Sequence, residues 1–171
     1  MAPPAGFDTS RVSPTDAVVT LRSLPRRFTE AFNRAGGAGT AGRDEVLARR
    51  PAGGGLSPVA HAAWTATALD EVASAFRRVQ EATNPLIELP TVDPPSPVVG
   101  ADDTPASVLA RLGASARSVA DTLAAVHGED WLRTGQAPSG PVSALDIARH
   151  GVRIGIEHLR AAERAIRADD S

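Results

Sequence analysis

Residues 144–166, ALDIARHGVRIGIEHLRAAERAI, constrain the fold more than any other stretch of the chain. Leu145, Val152, Ile156, Leu159 and Ile166 recur at steps of three, four and seven, which places them on one side of a helix. Ile147, His150, Ile154, His158 and Ala161 form a second stripe on roughly the opposite side. A helix that is apolar on two sides is buried among neighbours rather than laid on a surface. This one therefore requires other helices to enclose it.

The rest of the chain supplies them. A first helix is expected from Thr15 to about Arg34, carried by Val18, Leu21, Phe28 and Phe32, with Pro25 kinking it or interrupting its bonding. Ser57 reads as an N-cap and Pro58 as the first residue of a second helix, whose Leu69, Val72, Phe76 and Val79 carry it to about residue 82. A third helix is expected to start at Thr104 and Pro105 and to end before Gly128. The fourth opens near Val142 or Ser143, where Ser143 and Asp146 have capping-box spacing, and ends near Arg167.

Between these lie the breaks. GGAGTAG at residues 36–42 reads as a flexible break, Asp44–Arg49 as a helical turn, and GGG at residues 53–55 as a second break. Residues 84–103 hold five prolines and form a long crossover, ordered where Leu86, Ile87 and Leu89 can pack. The expected architecture is all-α: a four-helix bundle with its long connection between the second and third helices. Residues 1–14 read as a loose tail and residues 15–168 as a single domain. The low aromatic content, with two Trp, four Phe and no Tyr, suits helices better than a β-sandwich.

Composition excludes several chemistries. The chain has no cysteine, hence no disulfide, thiolate metal site or Cys nucleophile. It has no lysine, hence no Schiff-base lysine and no Walker-type phosphate lysine. A net charge of −2, with acids and bases interspersed, leaves no basic face for a nucleic acid. No stretch approaches the ~18 apolar residues of a membrane span, and the N-terminus lacks the pattern of a secretory signal. The expected location is the cytoplasm, with no membrane partner.

The candidate site lies on the second stripe of the last helix. His150, Ile154 and His158 stand four residues apart, one above another. Such a stripe of His or acidic residues can hold a metal, but Ile154 cannot ligate one. His61 lies one turn before Trp64 and offers His158 a partner for a displaced metal pair. His150 and His158, about 12 Å apart along the axis, cannot easily share one ion. Of the residues at the last loop, Trp131 reads as a core plug. Asp130 reads as a cap or a partner of Arg133, and His127 as a helix-terminal His.

Three segments together, SPVAHAAWTATALDEV (57–72), HGEDWLRTG (127–135) and ALDIARHGVRIGIEHL (144–159), resemble the DinB-like family. The similarity in order and spacing runs from about residue 15 to residue 167. The family includes mycothiol-dependent maleylpyruvate isomerases and related metal-dependent thiol transferases of actinobacteria. The resemblance implies a four-helix bundle. It also implies a metal held by one His of the second helix and by a His or acid plus a His, four apart, in the fourth. Those positions fall at Trp64, Ile154 and His158, and the acid that often orients the last His falls at Ala161.

Three expectations follow. The first is a non-catalytic bundle with an apolar or ligand-binding cavity lined by Trp64, His150, Ile154 and His158, with no catalytic residues and no cofactor. The second is a metal-dependent thiol transferase or isomerase with a rearranged site, using zinc or nickel on His158 and His61. The third is a homodimeric assembly module. A small molecule is the expected ligand under the first.

Overall fold

The structure, a computed structural model, describes residues 7–36, 39–94 and 99–169. Four long helices make the bundle: α1 (Pro14–Asn33), α3 (Pro58–Glu81), α4 (Pro105–Ala124) and α5 (Ala144–Asp169). A shorter α2 (Gly39–Ala48) follows α1. A 3-10 turn (Gly128–Leu132) and an antiparallel hairpin of β1 (Thr134–Ala137) and β2 (Gly140–Ser143) link α4 to α5.

Each helix starts where its capping chemistry allows. The Ser13 hydroxyl accepts from the Asp16 amide, and the Asp16 carboxylate accepts from the Ser13 amide. Ser143 and Asp146 repeat this reciprocal pair at the mouth of α5. Thr104 and Ser107 do so for α4, and Ser57 caps α3 through the Ala60 amide. In α1, α3 and α4 a proline takes the first helical position, where a missing N–H leaves nothing unpaired.

The packing closes a ring. The α3 helix lies against α4 and α5, and α1 lies against the same two, so α1 and α3 face each other across the core. Phe28, Leu21 and Leu24 of α1 meet Phe76 and Leu69 of α3, Leu112 and Leu123 of α4, and Ile147 and Leu159 of α5 in one buried cluster. Each such side chain contributes roughly 1.5–3 kcal/mol of burial. The two-stripe reading of the last helix holds, since α5 buries Ile147, Ile154, Ile156, Leu159 and Ile166 on different sides.

Two expectations need correction. Residues 39–42 are not part of a flexible break but the first turn of α2, and the helical turn expected at Asp44–Arg49 belongs to that longer helix; residues 37 and 38 lie outside the described residues. Glycine disfavours a helix by about 1 kcal/mol, but α2 buries Leu47 in the core and packs Val46 against it. Pro25 lies inside α1, which runs to Asn33, close to the expected end. Of the expected tail, residues 1–6 lie outside the described residues. Residues 7–13 touch α5: the Phe7 amide donates to Glu157, the Arg160 guanidinium sits 5.1 Å over the Phe7 ring, and Arg149 donates to the Val12 carbonyl.

The last loop behaves as a structural plug. Trp131 meets Phe76 edge-on at 5.5 Å, and its Nε1–H donates to the Val126 carbonyl. The Arg133 backbone N–H donates to the Asp130 carbonyl, but its guanidinium goes to the Val79 and Ala82 carbonyls at the end of α3 rather than to the Asp130 carboxylate. This satisfies carbonyls that the helix end leaves unpaired.

Close packing of α5 against α1 yields a test. A Cβ on Gly155 would run into Leu24, which is fully buried, whereas one on Gly113 of α4 meets nothing within 4 Å. Gly113→Ala is expected to stabilise by about 0.5–1 kcal/mol through helix propensity. Gly155→Ala should lower the melting temperature, since overpacking costs about 1–3 kcal/mol. Equal thermal melts for the two variants would contradict this packing.

Candidate functional site

The site is built where the crossover passes over the seam between α3 and α5. His61, Trp64 and Ala68 lie on α3; His150, Ile154 and His158 lie on α5. Trp64, Ala68 and Ile154 form a small apolar cluster of their own, and Val92 of the crossover packs against it. Ile154 is fully buried, and Trp64 and His158 are each 4% exposed.

The crossover is held there by ring nitrogens. The Val92 carbonyl accepts from Trp64 Nε1 at 3.0 Å and contacts His158 Nε2 at 2.7 Å. His150 Nε2 lies 2.6 Å from the Pro90 carbonyl. A carbonyl can only accept, so both histidines carry a proton on Nε2. Upstream, Gln136 of β1 bridges the crossover in parallel at Leu86, accepting from Ile87 N–H and donating its own N–H to the Pro85 carbonyl.

This assignment fixes the next contact. His61 Nδ1 lies 2.8 Å from His158 Nδ1, with the rings tilted by 50°. A neutral His158 protonated on Nε2 has only a lone pair on Nδ1, so His61 Nδ1–H is the donor. The His61 backbone carbonyl takes the Thr65 hydroxyl at 2.8 Å, which satisfies a second buried polar residue.

Of the residues singled out from sequence, the structure therefore brings together His61, Trp64, Ile154 and His158. His150 is not among them. It stands two turns away beside the groove formed by Phe7, Asp8, Ser10, Asp146, Arg149 and Arg153. The cavity expected at Trp64, Ile154 and His158 is filled by Val92. The sequence reading missed Pro90 and Val92. Their signal was the proline-rich crossover itself, which had to run over something, but no periodicity marks the residues that face inward.

An open groove of about 630 Å³ lies further along the same face of α3, between Glu71, Arg78, Leu86, Glu88 and Gln136. Burial, and then the neighbouring Glu88, raise the proton affinity of Glu71 there. Among the described residues, no three His, Cys, Asp or Glu side chains are grouped to hold a metal ion. No helix among them is long and apolar enough to cross a membrane.

The model of the DinB superfamily matches residues 20–162, well over half of the chain. The chain belongs to the DinB superfamily. Its fold is also similar to that of YfiT from Bacillus subtilis, described as a probable metal-dependent hydrolase with an unusual four-helix bundle topology. That likeness has a TM-score of 0.74 at 14% identity and covers 99% of this chain and 94% of YfiT. Comparison with curated proteins gives no match.

This DinB bundle keeps its histidine pair uncharged. Burial pushes His61 down to about 3, helped by His158 and then Arg164. Burial also lowers His158, against the opposing pull of the Val92 carbonyl, Asp93 and Glu157. One proton added to the pair, on His61 Nε2, keeps all contacts, since His61 still donates from Nδ1 to the His158 lone pair. A second would set two N–H groups against each other.

The sign of the pH dependence follows. The unfolded chain protonates each His near 6.5, whereas the folded one resists. Stability is therefore complete above about pH 6.5 and falls as pH drops from there towards about 3. Urea melts of the wild type should lose stability in that window with a slope approaching one proton, about 1.4 kcal/mol per pH unit. His61→Asn should flatten the profile. An unchanged slope in that variant would mean that the pair does not carry the effect.

Proposed function

We propose that this protein is a non-catalytic DinB-type bundle whose ancestral metal cleft is closed by its own crossover. The observation that carries the reading is the engagement of His158: its Nε2–H is spent on the Val92 carbonyl and its Nδ1 on His61.

The donor set supports this. Trp64 and Ile154 stand at the other two family positions and offer no lone pair to a cation. Family metals need three ligands and open positions for water or substrate. The two facing nitrogens are 2.8 Å apart, whereas nitrogens bound tetrahedrally at 2.0–2.1 Å from zinc stand roughly 3.3 Å apart. The residues present do not fit a metal of the kind implied by the description of YfiT, whose fold this chain resembles, as a probable metal-dependent hydrolase. In keeping with this reading, residues 15–168 act as one domain, the protein works in the cytoplasm, and its partner is a small-molecule ligand or a second copy of itself.

A specific observation favours the competing reading. Two imidazoles already face each other, so a modest ring rotation would offer an ion two ligands for a thiol (mycothiol) transferase or isomerase. Metal analysis of protein purified without a His-tag separates the two. Sub-stoichiometric zinc and nickel are expected; one tightly bound equivalent, lost in His158→Ala, would overturn the non-catalytic reading.

The closed-cleft reading also predicts a rescue. Trp64→His combined with Ile154→His should destabilise the apo protein, because it places polar groups in an apolar cluster. With His158 it should rebuild a three-His site, so saturating zinc should raise the melting temperature of the double variant by mass action and leave the wild type unmoved. A folded double variant without a zinc-dependent shift would show that residues 64, 154 and 158 do not converge on one point.

A further inference from the structure

We infer that the paired ring N–H groups of Trp64 and His158 form a carbonyl-binding site. The chain's own Val92 occupies it, and its ligand in trans is a neutral amide or peptide carbonyl beside a β-branched apolar side chain. The inference rests on the reading that the cleft is not a metal centre.

One donor is enough to satisfy a buried carbonyl. The Val92 oxygen has two, at 3.0 and 2.7 Å, from side chains on different helices. Both donors are almost fully buried and fixed by the bundle, Trp64 by its cluster and His158 by the His61 N–H behind it. The Val92 side chain fills an apolar hollow of Trp64, Ala68 and Ile154. Two residues earlier, the Pro90 carbonyl meets a third ring donor, His150. Two carbonyls at alternate residues and one side chain in an apolar hollow are the features by which proteins read a peptide, with the backbone for affinity and the hollow for selectivity.

The occupant is also removable. Among the described residues, no backbone–backbone hydrogen bond ties residues 88–94 to the rest of the fold; the last such bond is at Ile87. Segments with few backbone bonds open at lower free energy than the helices under them. Once open, the cleft presents unpaired N–H donors and an empty hollow, and an amide carbonyl with a branched neighbour restores both. A carboxylate suits the site less, because the charges nearest His158 are the acidic Asp93 and Glu157.

The test reads the two indole N–H signals by NMR. Trp131, bonded to the Val126 carbonyl in the opposite part of the fold, serves as the internal control. The probes are N-acetyl-valine N-methylamide and the capped tripeptide Pro-Thr-Val, added to the wild type, to Val92→Gly and to His150→Ala. The last variant loosens the crossover without touching the donor pair. The Trp64 signal should shift saturably and the Trp131 signal should not. Binding to either variant should be about tenfold tighter than to the wild type, because the competing internal occupant is weakened. Trp64→Phe should abolish saturable binding, read from the remaining amide signals.

Folded variants with no saturable Trp64 shift at millimolar probe would overturn the inference, as would stronger binding of isovalerate than of the amide. Zinc added to the same samples separates the two failures. No response to either probe or zinc removes this inference alone; a site that binds zinc and ignores the amides removes the closed-cleft reading with it.

Discussion

The Val92 carbonyl, held by Trp64 from one helix and His158 from another, is the contact on which the arrangement of the cleft depends. It joins α3, α5 and the crossover at a single atom. It fixes the tautomer of His158, and through it the direction of the hydrogen bond from His61. It also sets Val92 over Trp64 and Ile154, so the apolar and polar halves of the cleft close together. A helical bundle needs none of this to fold, since its main core is satisfied by Phe28, Phe76, Leu69 and Leu159 without it. The contact decides what the seam between α3 and α5 is available for.

Much of the fold was legible because helices announce themselves locally. Ser57 with Pro58, Thr104 with Pro105 and Ser143 with Asp146 mark starts that the structure confirms to within a residue. The double stripe of α5 announced its burial. The helix α2 was hidden because its glycines oppose a helix and its stability comes from Leu47 meeting the core, a contact no local pattern encodes. Gly135 follows the same rule: a Cβ there would stand 2.9 Å from Val79 Cγ2 and 3.1 Å from the Pro85 carbonyl, a constraint set by distant parts of the chain.

The site was legible in its residues and illegible in its state. Spacing put Ile154 and His158 on one face, and the one-turn offset put His61 beside Trp64. Whether that face opens on solvent, a metal or another piece of chain depends on where residues 85–94 run, and proline-rich segments carry no periodicity from which to read it. Pro90 and Val92 act through their backbone oxygens, which every residue has. Their identity is visible in the sequence, but their role depends on position alone.

The ring order of the bundle has a kinetic meaning. The α1 helix is flanked by α4 and α5, not by the long helix that follows it in sequence. Pairs such as Arg22 with Asp121 and Arg34 with Glu163 join residues 99 and 129 positions apart. An up-and-down bundle closes its contacts between sequence neighbours and needs only short loops to do so. Here α1 must wait for partners that lie most of a chain length away, and each such closure carries the entropy of a long loop. Folding speed in small proteins tracks this separation. The diagonal step from α1 to α3 thus places this all-helical chain towards the slow end of its class.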